Sequence, residues 1–157
     1  MKRYAILASI MVAGLAAAGV SAQQGGHARA GGGGGGGGLP GITDIEKVSD
    51  NVYKIFGAGG NTPVFVRSDG VVLVDTKLAN NGQAILDQVR KITDKPVTMI
   101  INTHSHPDHM GSNKEIASAR GSIQIVAQAN SEARMAAMDT PKVTQSFRDT
   151  LTLGKGK

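Results

Sequence analysis

The pattern of apolar and polar positions early in the globular sequence predicts four short strands. Two of them flank Ser49-Asp50-Asn51 within Ile45 to Gly57. The next two, Thr62 to Arg67 and Val71 to Asp75, flank the turn Ser68-Asp69-Gly70, where glycine permits a positive φ angle. The fourth run is apolar at its first four positions, which indicates a strand covered on both faces.

The spacing of apolar residues becomes helical after Asn80-Asn81-Gly82. The positions that recur three and four apart are Ile85, Leu86, Val89 and Ile92. This amphipathic helix is predicted to end before Asp94-Lys95-Pro96, and Val97 to Ile101 is another buried strand. The later predicted elements are a helix through Lys114 to Ala119, a strand from Ser122 to Ala127, a helix capped by Asn130 or Ser131 and closed by Pro141, and a strand from Phe147 to Leu153. A β-meander followed by alternating strands and helices predicts an α/β fold.

The first 38 residues do not fit this pattern. Lys2 and Arg3 precede an apolar run from Ala5 to Val20, and Val20-Ser21-Ala22 is a small-x-small cleavage site. Residues 1–22 are therefore predicted to be a signal peptide, with an uncleaved membrane anchor as the alternative. Residues 23–38, which include eight consecutive glycines, are predicted to be a flexible linker. We expect a periplasmic or secreted protein with no stable membrane anchor after cleavage.

Charge and composition exclude several classes of function. The net charge is +5, but Lys2 and Arg3 lie in the predicted signal peptide, and Lys155 and Lys157 lie in the last three residues. The other basic residues are interleaved with acidic ones, and aromatic residues make up only 3% of the chain, so we expect no nucleic-acid partner. The chain has no cysteine, which excludes disulfides, thiolate zinc sites and cysteine nucleophiles.

Three of the four histidines lie within six residues, directly after the buried strand that ends at Ile101. Open α/β sheets bind ligands at the carboxyl ends of their strands. His104 and His106 are two residues apart in extended chain, so they can face one metal ion, while Asp108 and His109 can hold a second ion or close the first. Imidazole with one carboxylate favours zinc, and iron and manganese are alternatives.

The sequence is similar to the metallo-β-lactamase-fold hydrolases, whose signature HxHxDH is matched in full. The similarity runs from about Ile45 to Leu153. Its other matching segments are Gly57-Ala58-Gly59-Gly60-Asn61, Val72-Leu73-Val74-Asp75-Thr76 and Gly111-Ser112-Asn113. The resemblance implies that His104 and His106 bind a first zinc ion and that Asp108 and His109 bind a second. It also implies that Asp75 supports the site from behind.

The resemblance also implies a fold that this chain contains only in part. Members of the family form a four-layer αββα sandwich of two similar halves, and we expect residues 39–157 to be roughly the first half. The family's third histidine, bridging aspartate and final histidine come from the second half, and no histidine follows His109 here. Lys77 also departs from the family, which often has glycine after Asp-Thr, and Ser105 and Pro107 occupy variable positions.

These features leave three hypotheses for function. The first is an exported zinc-dependent hydrolase of small molecules, in which a zinc-bound hydroxide attacks an ester, lactam, lactone or thioester-like bond and Asp108 orients it as the catalytic residue. The second is an inactive truncated fragment, with an exposed apolar sheet face through which it self-associates. The third is a simple metal-binding module in which His104, His106 and His109 close on one ion.

Overall fold

A computed structural model describes residues 41–153 of the chain. The predicted signal peptide at residues 1–22 and the predicted linker at residues 23–38 lie outside these residues, and both stay predictions. Among the residues described, no helix combines the length and apolar character that crossing a bilayer requires.

One seven-stranded mixed sheet organises the described part of the chain, and its strands lie side by side in the order of the sequence. The strands are β1 (Ile45–Ser49), β2 (Val52–Ile55), β3 (Thr62–Arg67), β4 (Gly70–Val74), β5 (Val97–Asn102), β6 (Gln124–Gln128) and β7 (Gln145–Phe147). β1 to β4 pair antiparallel, and β4 to β7 pair parallel. The predicted α/β fold with its leading meander is confirmed, and Gly70 has the positive φ expected of the β3–β4 turn.

Four helices connect the parallel strands. They are α1 (Gly82–Arg90), α2 (Pro107–Met110), α3 (Asn113–Arg120) and α4 (Ala129–Met135). α1 begins without a capping contact from its own Asn81 side chain. Instead, the Glu115 carboxylate on α3 accepts hydrogen bonds from the backbone N–H groups of Asn80 (2.5 Å) and Gly82 (2.9 Å), which satisfies unpaired donors at the start of α1. This contact fixes α1 against α3.

The core lies between these helices and one face of the sheet. The buried apolar side chains on that face include Ile55, Val64, Leu73, Ile100 and Ile125, which follow one another across the strands. The helices contribute Ile85, Leu86, Val89 and Ile116 to the same cluster. The alternation of side chains along each strand places these residues together, because every second residue points to the same face.

The opposite face of the sheet is buried at the centre of the sheet. Val72 retains 5% of its accessible surface and Val126 retains none. Val72 lies between Phe65 and Met99 in the strand register, and these two long, half-buried side chains shield it. The only large apolar residues that are exposed within residues 41–153 are Val48 and Met138. The exposed apolar sheet face of the truncated-fragment hypothesis is therefore not found at Val72 and Val126, and the burial of Val71 to Leu73 agrees with a strand covered on both faces.

The boundaries of α4 and of β7 differ from those predicted by the sequence. α4 is capped by the Gln128 side chain, which accepts a hydrogen bond from the Asn130 N–H at 2.6 Å, so the cap is neither Asn130 nor Ser131. The helix ends at Met135 rather than close to Pro141. β7 ends at Phe147, where the predicted last strand begins, because its pairing with β6 stops at Gln128.

The centre of the sheet carries most of the packing energy, and we expect Leu73→Ala to lower the free energy of unfolding by about 2–5 kcal/mol. Leu73 is fully buried between the neighbouring strands and the helices, so its truncation leaves a cavity. Val48→Ala is the control, since Val48 is 61% exposed, and its effect should stay within about 0.5 kcal/mol. Urea unfolding measures the free energy of unfolding of both variants and of the native chain. Equal effects at the two positions would contradict the placement of the core.

Candidate functional site

Parallel pairing of β4 and β5 brings two polar segments to the same edge of the sheet. β4 ends at Val74 and is followed directly by Asp75, while β5 ends at Asn102 and is followed by the histidine segment. The Asp75 N–H donates to the Ile101 carbonyl at 2.8 Å, which extends the ladder by one residue. The carboxylate and the histidines therefore lie at the carboxyl ends of neighbouring strands, where α/β sheets place their ligands.

The Asp75 carboxylate organises this edge. It is 4% exposed and accepts hydrogen bonds from the Thr103 N–H (2.8 Å) and the Thr103 hydroxyl (2.7 Å). It also contacts Nδ1 of His109 at 2.7 Å. An ionised carboxylate accepts all three, so one buried group fixes both the strand end and an imidazole ring.

The hydrogen-bond network assigns the protonated nitrogen in two of the histidines. In its neutral form, the His109 ring donates from Nδ1 to Asp75, so its Nε2 keeps the lone pair. Thr103 gives its only hydroxyl proton to Asp75, so Nδ1 of His104, 3.0 Å away, must donate to the Thr103 oxygen. Nε2 of His104 is thus also free to bind a cation, which is the arrangement of a metal-binding histidine held by an outer partner.

The three imidazole rings form one cluster. The ring centroids of His104 and His109 are 4.0 Å apart, and those of His104 and His106 are 4.6 Å apart. Desolvation, followed by the neighbouring rings of His109 and His106, lowers the pKa of His104. The neutral ring, which is the form that binds metals, is therefore favoured at this position.

Asp108 lies at the edge of the cluster, half-exposed, with a carboxylate oxygen 3.4 Å from Nε2 of His109. The donor chemistry of the four predicted ligands fits zinc, since it combines free imidazole nitrogens with one carboxylate. Within residues 41–153, however, no three histidine, aspartate or glutamate side chains are placed so that they could share one ion. The predicted residues are brought together, but they do not form a three-ligand site by themselves.

A glycine-rich loop after β2, residues 57–60, forms one wall of the site. The Gly60 N–H donates to the Asp108 carbonyl at 3.3 Å. A Cβ atom at Gly60 would lie 2.8 Å from Cε1 of His109, and one at Gly59 would lie 3.0 Å from Cβ of Asp108. Both positions require glycine because of this close approach.

Lys77 is the residue beside the site whose contacts the sequence interpretation missed. Its side chain is fully buried, and its ammonium donates to the carbonyls of Ile55 (3.0 Å), Gly57 (2.8 Å) and Gly60 (2.7 Å). Burial lowers the pKa of Lys77 to about 8. The only signal in the sequence is that lysine stands at a position where similar proteins often have glycine.

Polar side chains beneath the histidine segment hold its backbone from the core side. The Asn113 side chain accepts a hydrogen bond from the Thr76 hydroxyl (2.7 Å) and donates one to the side-chain oxygen of Asn102 (2.7 Å). Asn102 in turn donates to the His109 carbonyl (3.2 Å), which also accepts from the Thr76 N–H (2.7 Å). The four buried or half-buried residues form a connected network, which resists rotation of the segment.

Comparison with known proteins identifies the family and the individual proteins to which this chain is similar. The family model described as the metallo-beta-lactamase superfamily matches residues 56–147. A linear primary-alkylsulfatase of Pseudomonas sp. is 37% identical over 65 residues, which cover 38% of this chain and 12% of that protein. An alkyl/aryl-sulfatase of Saccharomyces cerevisiae is 30% identical over 96 residues, which cover 57% of this chain and 15% of that protein.

Solved structures share the fold. A subclass B3 metallo-beta-lactamase of Bradyrhizobium japonicum superposes with a TM-score of 0.62 and 27% identity, over 71% of this chain and 48% of that one. A class B3 di-zinc metallo-beta-lactamase from an Alaskan soil metagenome gives a TM-score of 0.66 at 18% identity, over 73% and 49% of the two chains. The chain thus spans about half the length of these structures and a smaller part of the two sulfatases.

Replacement of the Asp75 carboxylate by an amide should destabilise the chain. Asp75 has a φ of 61°, which asparagine tolerates, so Asp75→Asn changes charge with little backbone strain. We expect a loss of about 2 kcal/mol in the free energy of unfolding, because three charge-assisted contacts are weakened. Thr103→Val removes only one donor and should cost about 1 kcal/mol. Denaturant unfolding compares the variants, and an Asp75→Asn chain as stable as the native one would contradict this role.

Lys77 should make the stability depend on pH in the alkaline range. Its folded pKa of about 8 lies below the ordinary value of 10.5, so between these values the unfolded chain binds more protons. The contribution of Lys77 to the free energy of unfolding therefore rises as the pH increases through this range. Lys77→Met lacks this contribution, so the native chain should gain stability relative to the variant. Urea unfolding of both proteins across the range measures this gain, and a constant difference would rule out the lowered pKa.

Proposed function

Since the chain belongs to the metallo-beta-lactamase superfamily, whose members are hydrolases, we propose that it provides the histidine-bearing part of an exported, zinc-dependent hydrolase. The observation that carries the proposal is the Asp75-anchored cluster of imidazoles with free Nε2 atoms on His104 and His109. In this proposal His104 and His106 hold one zinc ion, and Asp108 and His109 hold a second.

Bound zinc supplies a Lewis acid and lowers the pKa of a water molecule to about 7, which makes a nucleophile available at neutral pH. The chain's own residues then have separate tasks. Asp108, half-exposed at the edge of the cluster, orients the attacking water and accepts its proton. Asp75 holds the His109 ring in one tautomer, and the glycine-rich loop at residues 57–60 closes one side of the site.

A hydrolytic zinc ion needs about three protein ligands and an open position. We propose that the missing donors come from polypeptide outside residues 41–153, because these residues hold no three-ligand group and the chain spans about half the length of the B3 structures. The substrate is a small molecule with an ester-like bond. The relatives name sulfate esters and β-lactams as the first compounds to test.

A second function, metal binding without hydrolysis, is favoured by one specific observation. The three imidazole rings form one cluster within residues 41–153. In this function the three rings reorient until their nitrogen atoms face one ion, since no three side chains among residues 41–153 share one as they stand. This function needs no further polypeptide, so the number of ions bound and the presence of turnover separate it from the hydrolase.

The test uses the full chain, stripped of metal and titrated calorimetrically with zinc, followed by assays on 4-nitrophenyl sulfate and a chromogenic cephalosporin. We expect His106→Ala to weaken zinc binding at least about tenfold, whereas Asp69→Ala, which removes an exposed carboxylate at the β3–β4 turn, leaves it unchanged. Turnover that His106→Ala abolishes supports the hydrolase. One tightly bound ion without turnover supports the metal-binding module, and a native chain that binds no zinc overturns both functions.

A further inference from the structure

Lys77 is a buried charge that no other feature of the fold explains. It is fully inaccessible, and none of the ion pairs formed among residues 41–153 includes it. Burial of an ammonium group without a carboxylate is costly unless the surroundings satisfy its three donors. A methionine would fill the same space without this cost, so the charge itself needs a reason.

The backbone at Lys77 makes the choice of lysine more unusual. Its φ angle is 63°, in the left-handed region that favours glycine and strains other residues. Glycine would remove both the strain and the buried charge. The side chain is therefore present in spite of two unfavourable terms, which indicates that its three hydrogen bonds have a function.

Those hydrogen bonds span the glycine-rich loop from one end to the other. The acceptors are the carbonyls of Ile55, at the end of β2, and of Gly57 and Gly60, at the two ends of the loop. Gly57, Ala58 and Gly59 all have positive φ angles, of 82°, 52° and 106°. In this conformation the loop turns carbonyl groups inward, where only a buried cation supplies enough donors for three of them.

The same loop contacts the candidate metal ligands. The Gly60 N–H donates to the Asp108 carbonyl, and the glycine backbone lies against the His109 ring. The Lys77 main chain meets the other end of the histidine segment, since its carbonyl accepts from the Gly111 N–H at 2.8 Å. Lys77 therefore contacts two parts of the site. Its side chain binds the loop, and its backbone binds the end of the short helix α2, which carries Asp108 and His109.

We propose that Lys77 is a positioning residue, whose buried ammonium locks the loop at residues 57–60 against Asp108 and His109 and so fixes the orientation of these two side chains. The proposal rests on the proposed function only where metal affinity is concerned. The mechanical part, that Lys77 holds the loop against this segment, holds for the metal-free chain as well.

The test compares Lys77→Met, which keeps the length of the side chain but removes the charge, with the native full chain at about pH 7, where the amine is protonated. Hydrogen exchange is followed at the amides of Gly60 and His109 in the metal-free protein. Cobalt(II) binding is followed by its visible absorption. Ile85→Ala is the matched control, because Ile85 is a fully buried residue of α1 and its truncation lowers global stability without touching the loop.

We expect Lys77→Met to accelerate exchange at Gly60 at least about tenfold relative to Ile85→Ala, and to weaken cobalt binding about tenfold with an altered absorption spectrum. Lys77→Arg keeps the charge but not the geometry of the side chain. Its exchange rate at Gly60 and its cobalt affinity should therefore lie between those of the native chain and those of Lys77→Met. If Lys77→Met does not fold, Lys77→Arg carries the same comparison.

Unchanged exchange at Gly60 in the variant overturns the positioning role, whether or not metal binds. Faster exchange at Gly60 with a native chain that binds no cobalt supports the locking of the loop and contradicts the proposed function alone. Exchange that rises equally in Ile85→Ala would show that Lys77 acts only through global stability, which also overturns the proposal.

Discussion

The arrangement of the site depends on the buried carboxylate of Asp75 and on the strand pairing that places it. Because β4 and β5 run parallel as neighbours, their ends meet, and Asp75 reaches across to Thr103 and to His109. These contacts set the tautomer of His109 directly and that of His104 through the Thr103 hydroxyl. A single charge therefore determines which nitrogen atoms of two rings are free to bind a ligand. The pairing of β4 with β5 fixes where the carboxylate lies, and the carboxylate fixes the orientation of the His109 ring.

Strained backbone conformations occur in two segments of the described residues. The non-glycine residues with positive φ angles in the described part of the chain are Ala58, Asp75, Lys77 and Asn80. Ala58 lies in the glycine-rich loop, and the other three lie between β4 and α1, in the segment that begins with Asp75. Strained residues persist where surrounding contacts fix them, and Asp75 and Lys77 each have several such contacts.

The regular parts of this fold could be predicted from the sequence, because local periodicity decides them. The alternation in Thr62 to Arg67 and the helical spacing of Ile85, Leu86 and Val89 lead directly to β3 and α1. The candidate ligands were also predictable, since three histidines follow a buried strand. The contacts of Lys77 and the network around Asn113 were not, because their partners lie 22 and 37 residues away and depend on tertiary packing. The α4 cap was missed for a different reason, since glutamine is an uncommon capping residue.

The strict sequential order of the strands has a consequence for biosynthesis. Each strand of the sheet pairs with the one that immediately precedes it in the chain, from β1 to β7. A polypeptide that emerges from the ribosome can therefore add every strand to an edge that already exists, and no strand has to wait for a partner made later. The antiparallel pairs from β1 to β4 need only short loop closures, whereas each parallel pair from β4 to β7 closes over a longer crossover. The Asp75 carboxylate and the histidine segment, which lie at the edge between β4 and β5, can therefore meet before β6 and β7 have been synthesised.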